Sequence, residues 1–85
     1  MKHLPTLPHP LEDWLEIKVT LIGGRGSIFG ICIPSGEKWK RGFHIGFFPE
    51  KEAIETGQHI AEMVSATRLL CSLPRCNFTV ETDPS

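Results

Sequence analysis

Residues 15–22 alternate apolar and polar side chains, and this alternation constrains the fold more than any other feature of the sequence. The odd-numbered residues, from Leu15 to Leu21, point to one side of an extended chain, and Glu16, Lys18 and Thr20 point to the other. A period of two with β-branched residues predicts a strand with one buried face. The glycine-rich stretch 23–26 that follows predicts a turn.

Two more strand-type segments follow, residues 27–33 and residues 38–47, with the turn sequence Pro34-Ser35-Gly36-Glu37 between them. Each segment alternates, and we assign the positions with the larger apolar side chains to the buried face: Phe29, Ile31, Ile33, Phe43, Ile45 and Phe47. The connections are short, and short connections favour antiparallel pairing of neighbouring strands. The three segments therefore predict an antiparallel meander.

Residues 50–71 have the apolar spacing of one long helix, with small or apolar side chains at positions such as Ala53, Ile60 and Val64. We expect Pro49 at the first helical position, followed by acidic residues that suit the positive end of the helix dipole. The helix would lie across the apolar face of the sheet. Gly57 would then allow helix and sheet to approach closely.

The length of 85 residues leaves room for one small domain. The predicted fold class is α+β: a three-stranded antiparallel meander with one long helix packed on one face. Residues 76–82 are a candidate short fourth strand. We divide the chain into an extended, proline-rich arm (1–12), a single β-β-β-α domain (13–82) and a frayed tail (83–85).

The composition also excludes some classes of protein. No apolar run approaches the ~20 residues that a membrane-spanning helix needs, and the N-terminus has no apolar segment of a secretory signal. The three cysteines are an odd number, which with no secretion signal favours a reducing compartment. We therefore expect a cytoplasmic protein that does not enter a membrane.

No group of residues in the sequence has the spacing of a catalytic or metal site. Cys71 and Cys76 could join a metal site only with two further ligands, and the four histidines are scattered. Buried thiols are the simpler interpretation, and a thiol- or metal-dependent regulator using Cys71 and Cys76 is a third functional hypothesis. We expect no enzyme and no cofactor.

The formal net charge is −1, but the middle of the chain is basic: residues 18–48 hold five Lys and Arg against the single carboxylate Glu37. If the even-numbered positions from 16 to 46 face away from the helix, Lys18, Lys38, Lys40 and His44 share the uncovered side of the sheet. Three glycines would leave that side flat: Gly30, Gly42 and Gly46. A flat, cationic surface suits a nucleic-acid backbone. Ordinary surface charge, with glycines that only ease sheet twist, is the alternative.

Three stretches in the order β-β-β-α resemble known DNA-binding modules: residues 24–30, residues 36–40 and residues 45–53, the last with a Gly-x-Phe-x-x-x-Glu-Ala rhythm that enters the helix. They are similar to the arm-binding domain of phage integrases and to the plant ethylene-response-factor domain. Both families place a three-stranded sheet in the major groove and back it with a helix. The resemblance implies DNA contacts by Arg25, Lys38, Trp39 and Lys40.

The candidate nucleic-acid-binding residues are Lys18, Arg25, Lys38, Trp39, Lys40, Arg41 and His44. Trp39 also has the parity of the buried face, so packing against the helix is its alternative role. The leading hypothesis is a small regulatory binding protein that contacts nucleic acid through the open basic face of its sheet. The alternative is a protein-interaction module or homodimer that docks through the same face or through the outer face of the helix.

Overall fold

The computed structural model describes residues 4–83. The elements are a 3₁₀ turn at Leu11–Asp13, then β1 (Trp14–Ile22), β2 (Arg25–Cys32), β3 (Arg41–Pro49), α1 (Glu50–Leu70) and β4 (Asn77–Thr82). The predicted α+β class is confirmed, because the strands form one sheet with α1 packed against it. Residues 1–3 of the predicted arm and residues 84–85 of the predicted tail lie outside the described part of the chain.

The sheet is mixed, with the strand order β3-β2-β1-β4. β1 pairs with β2 and β2 with β3 in antiparallel fashion, which is the predicted meander. The candidate fourth strand is present, and it pairs in parallel with β1. A parallel strand requires a long crossover connection. Here α1 supplies it, because the helix carries the chain from β3 at one edge of the sheet to β4 at the other.

The β1–β2 hairpin turns through two residues only. Ile22 pairs with Arg25, and Gly23 and Gly24 between them have φ angles of 56° and 77°. Positive φ at both central residues is the requirement of a type I′ turn, which glycine meets without steric cost. The turn is therefore shorter than the glycine-rich stretch suggested, and β2 begins at residue 25.

This short turn reverses the predicted faces of β2. Directly paired residues lie on the same side of a sheet, so the partner of Leu21, Gly26, faces the helix. By alternation Ile28 and Cys32 face it too, and both are fully buried. The prediction that Phe29 and Ile31 fill the core is wrong, and these two side chains lie on the opposite side of the sheet.

β3 begins at Arg41 rather than at residue 38, and it contains a bulge. Ile28 pairs with Gly46 while Phe29 pairs with His44, so Ile45 is an extra residue in β3. A bulge shifts the alternation by one position. Phe47 is consequently turned away from the helix, contrary to the prediction, while Phe43, Ile45 and Phe48 pack against the core.

Small residues let the helix and an indole ring pack tightly on the sheet. A Cβ at Gly57 of α1 would lie 2.6 Å from Val19 Cγ2, which confirms the predicted close approach of helix and sheet. A Cβ at Gly30 would lie 2.3 Å from the ring of Trp14, which is fully buried. Gly30 and Gly46 were predicted to flatten the uncovered side. They face the helix instead, where Gly30 makes room for Trp14.

The ends of α1 differ slightly from the prediction. Pro49 is the N-cap residue, with φ −55° and ψ 149°, and the helix begins at Glu50. After Leu70 the chain reverses in a Schellman-type cap: Ser72 has a φ of 59°, and the N–H of Leu73 donates to the Arg68 carbonyl at 2.8 Å. This reversal directs the chain towards β4.

The segment before β1 packs against the rest of the protein. Leu4, Leu7 and Leu11 contact the core, and Trp14 Nε1 donates a hydrogen bond to the His9 carbonyl at 3.2 Å. The buried guanidinium of Arg68 donates to the carbonyls of Glu12 and Pro74. One helix side chain thereby holds both the segment that enters β1 and the segment that leads to β4.

Candidate functional site

The side of the sheet turned away from α1 is the main candidate surface, and we call it the open face. Within residues 4–83, α1 and the 3₁₀ turn pack together on the other side, and no helix or strand lies on this one. Strand alternation and pairing assign these residues to it: Glu16, Lys18, Thr20, Ile22, Arg25, Ser27, Phe29, Ile31, Gly42, His44, Phe47, Asn77, Thr79 and Glu81.

Three rings form a contiguous aromatic cluster on the open face, made of Phe29, His44 and Phe47. The ring centroids of Phe29 and His44 are 5.4 Å apart, and those of His44 and Phe47 are 4.8 Å apart. His44 Nε2 lies 3.0 Å from the hydroxyl of Ser27, which fixes the imidazole between the two phenyl rings. Phe29 is 44% exposed and Phe47 is 63% exposed. The cluster is thus pre-positioned yet open to solvent.

The half of the open face formed by β1 and β4 is polar. Lys18 Nζ lies 3.5 Å from Glu81 Oε1 across the parallel pair, and the hydroxyl of Thr79 donates to Glu16 Oε2 at 3.4 Å. These contacts hold one cation against a carboxylate. The open face carries two cations, Lys18 and Arg25, and two carboxylates, so it is not the basic face that the sequence predicted.

Lys38, Trp39 and Lys40 lie in the loop between β2 and β3 rather than on a strand. The predicted turn is confirmed there: the N–H of Glu37 donates to the Pro34 carbonyl at 2.9 Å, and Gly36 has a φ of 85°. Trp39 is 79% exposed, so the alternative that it packs against the helix is wrong. The strand begins three residues later than expected, and its parity does not extend to position 39.

The loop is tied to the start of β1 by Asp13. The backbone N–H of Ser35 donates to Asp13 Oδ2 at 3.1 Å, and the hydroxyl of Ser35 also contacts this carboxylate. The N–H of Ile33 donates to the Asp13 carbonyl at 3.0 Å. These hydrogen bonds set the direction in which the loop leaves the sheet.

Three of the seven predicted site residues share the open face: Lys18, Arg25 and His44. Arg41 belongs to the helix side of β3, where its guanidinium carbon lies 5.2 Å from the ring centroid of Phe43 and Nη1 lies 3.4 Å from Glu37 Oε2. Within residues 4–83 no ion pair involves Arg25, Lys38 or Lys40. Among the seven predicted site residues, these three are therefore the Lys and Arg side chains without an ion-pair partner, and they are available to an external anion.

The sequence interpretation missed Phe29 and Phe47 as surface residues. For Phe29 a signal existed: a two-residue Gly23-Gly24 turn places Leu21 opposite Gly26, and therefore Phe29 on the side of Lys18. For Phe47 the cause is the bulge at Ile45, which the alternation of the segment did not reveal.

The thiols do not form an evident reactive centre. Burial raises the pKa of the Cys76 thiol to about 11, with a smaller opposing effect of Arg68, and burial likewise raises the pKa of Cys32. A raised pKa keeps a thiol protonated and weakly nucleophilic. Cys71 is exposed at the end of α1. Among residues 4–83, no group of three His, Cys, Asp or Glu side chains has the geometry to hold a metal ion.

A cavity of about 280 Å³ lies between the segment before β1 and α1. Its described lining is apolar apart from His9 and includes Leu7, Leu11, Ile60 and Met63. Such a lining offers shape and apolar contact but no arrangement for acid–base or nucleophilic chemistry.

In the described part of the chain, α1 lacks the run of apolar residues that a helix needs to cross a bilayer. Comparison of the chain with protein-family models, with curated proteins and with solved structures finds no match. The resemblance to the sheet-and-helix DNA-binding modules stays a prediction, because no match bears on it.

Proposed function

We propose that this protein is a small, non-enzymatic binding protein that contacts nucleic acid through the open face of its sheet. The observation that carries the proposal is the exposed aromatic cluster of Phe29, His44 and Phe47, which lies between cations at the two ends of β2 and β3. Large exposed rings are costly in water, and a contiguous group of them marks an interaction surface more often than chance exposure does.

The arrangement along the strands favours a linear polyanion. Arg25 stands at the start of β2, paired with the end of β3, while Lys38 and Lys40 project from the loop beyond the other end of the same two strands. At ~3.3 Å per residue the eight residues of β2 span about 25 Å. The aromatic cluster lies between these cations, so bases and phosphates would each meet a suitable partner.

The binding test uses fluorescence anisotropy with a labelled mixed-sequence oligonucleotide at about 50 mM salt. The triple variant Arg25→Glu, Lys38→Glu, Lys40→Glu is expected to lose at least ~10-fold in affinity, because each reversal removes a phosphate contact. Arg75→Glu is the control: this exposed arginine lies between α1 and β4, beside Gln58 and Glu62 of the helix rather than on the open face.

With three available cations and ~0.7 counterions released per phosphate contact, log K should fall against log salt with a slope of about −2. An absence of binding at low salt for single-stranded and double-stranded oligonucleotides would overturn the proposal. Equal losses for the triple variant and for Arg75→Glu would overturn the assigned surface.

A second candidate occupant of the open face is a second copy of this chain. The observation that favours it is charge balance: two cations and two carboxylates with a central aromatic cluster can face an identical surface without net repulsion. Sedimentation analysis distinguishes the two candidates. A dimer that Phe47→Asp dissociates, in a protein that binds no oligonucleotide, would favour self-association, while a monomer at high concentration would exclude it.

A further inference from the structure

We infer that the open face selects single-stranded over double-stranded nucleic acid, with unpaired bases stacking on the aromatic cluster of Phe29, His44 and Phe47. This inference rests on the proposed function and specifies the form of its ligand. It differs from the major-groove contact that the family resemblance implies, because the bases themselves, rather than the backbone of a duplex, would be the main contact.

The first reason is the chemistry of the central surface. The middle of the open face presents rings of the two adjacent strands β2 and β3, with centroids 5.4 Å and 4.8 Å apart. Stacking of a base on an aromatic side chain needs a base that is not already stacked between neighbours in a duplex. Phe47 at 63% exposure and Phe29 at 44% exposure leave ring surface free for that contact.

The second reason is the lack of charge for a duplex. A duplex presents two phosphate strands and binds chiefly through many cations. On the open face, Lys18 is held by Glu81 at 3.5 Å, and Glu16 adds a second carboxylate beside it. These carboxylates would repel the phosphates of the second strand of a duplex. A single strand can follow β2 and β3 from Arg25 to the loop and avoid them.

The third reason is space beside the rings. Gly42 lies on the open face two residues before His44, and no atom lies within 4 Å of the point where its Cβ would be. The open volume next to the imidazole leaves room for a flat base against the cluster. A side chain at position 42 would narrow this space without disturbing the packed side of the sheet.

The test compares two probes under one condition: a labelled single strand of about 15 nucleotides, and the same strand annealed to its complement. The single strand is expected to bind at least ~10-fold more tightly. Phe29→Ala and Phe47→Ala should each weaken single-strand binding about 5- to 150-fold, which corresponds to ~1–3 kcal/mol per stacked base, and should leave duplex binding nearly unchanged. Leu70→Ala is the control, because Leu70 is exposed on α1 and away from the open face.

The outcomes separate this inference from the proposed function. If the duplex binds as tightly as the single strand and both phenylalanine variants bind normally, the inference is wrong while nucleic-acid binding stands. If neither probe binds, the proposed function fails as well. Circular dichroism and thermal unfolding of each variant identify any loss of binding that comes from unfolding.

Discussion

The side of the sheet covered by α1 buries small residues of β2, whereas the open face leaves a large one exposed. On the side covered by α1, β2 contributes Gly26, Ile28, Gly30 and Cys32, and its glycines make room for Ala53 and for the indole of Trp14. On the open face the same strand contributes Ser27 and Phe29, and the larger side chain stays exposed. The size of a side chain therefore does not decide its burial here. Burial depends on whether the side chain lies on the side of the sheet that α1 covers.

A domain of 85 residues has little hydrophobic area to spare, yet this one leaves two phenylalanine rings on its surface while it buries glycine. Since burial of a phenylalanine ring is worth roughly 1.5–3 kcal/mol, the exposed rings are expected to contribute to binding rather than to folding. Substitutions on the two faces of the sheet test that division.

The largest contrast in stability is expected between the two tryptophans. Trp14→Ala should lower the free energy of unfolding by about 3–5 kcal/mol, because it empties the space that Gly30 leaves for the ring. Trp39→Ala should change it by less than ~0.5 kcal/mol, because Trp39 is exposed in the loop. Urea unfolding measures both variants. Similar losses for the two would contradict the assignment of Trp14 to the core and Trp39 to the surface.

A pair of glycines should repeat this contrast on a smaller scale. Gly30→Ala places a methyl group against the Trp14 ring and is expected to cost about 1–3 kcal/mol. Gly42→Ala meets no atom and should have little effect on stability, or a small gain through the unfolded chain. If Gly42→Ala proved the more damaging of the two, the assignment of faces to β2 and β3 would be wrong.

The buried thiol of Cys76 should make the stability of the fold decrease at alkaline pH. Its pKa is raised to about 11 in the fold, against ~8.5 for an unfolded cysteine. The protonated thiol therefore contributes stability that is complete below about pH 8.5 and lost as the pH rises towards 11. We expect a loss of roughly 2–3 kcal/mol over that range, at ~1.36 kcal/mol for each pKa unit.

The control for this pH effect is Cys76→Ala, whose stability should fall less between pH 8 and pH 11 than that of the unchanged protein. Chemical unfolding of the two proteins at several pH values gives the comparison. Parallel stability curves would show that the thiol of Cys76 does not titrate differently in the folded and unfolded states.

A small effect on stability is also expected for the loss of a ring from the open face. Phe47→Ser should change the free energy of unfolding by less than ~1 kcal/mol although it removes a whole ring, since that ring is mostly in water already. Phe48→Ser, one residue further on and packed against the core, should cost more. A larger loss for Phe47→Ser than for Phe48→Ser would mean that Phe47 supports the fold.

Much of this fold follows from sequence patterns, and the misplaced residues have specific causes. Alternation in β1 gave the correct face for Ile17, Val19 and Lys18, and helical spacing gave α1 to within one residue at its end. The faces of β2 depend on the exact length of the turn, because one residue more or less exchanges the two sides of a strand. Assigning the larger side chains to the core therefore exchanged the two predicted faces of β2.

The site was harder to predict than the fold. The cations were visible in the sequence, but their positions were not, because the loop between β2 and β3 keeps Lys38 and Lys40 off the strands. The aromatic cluster arises from two features that local alternation does not encode: the register of the Gly23-Gly24 hairpin for Phe29 and the bulge at Ile45 for Phe47. Each feature depends on pairing between strands.

Whether the open face binds nucleic acid is tested most directly by an NMR titration of ¹⁵N-labelled protein with the single-stranded oligonucleotide. We expect the largest amide shift changes on the β2 and β3 residues around Phe29, His44 and Phe47, with little change along α1. Changes concentrated on α1, or no change at saturating oligonucleotide, would contradict the claim that the open face is the binding surface.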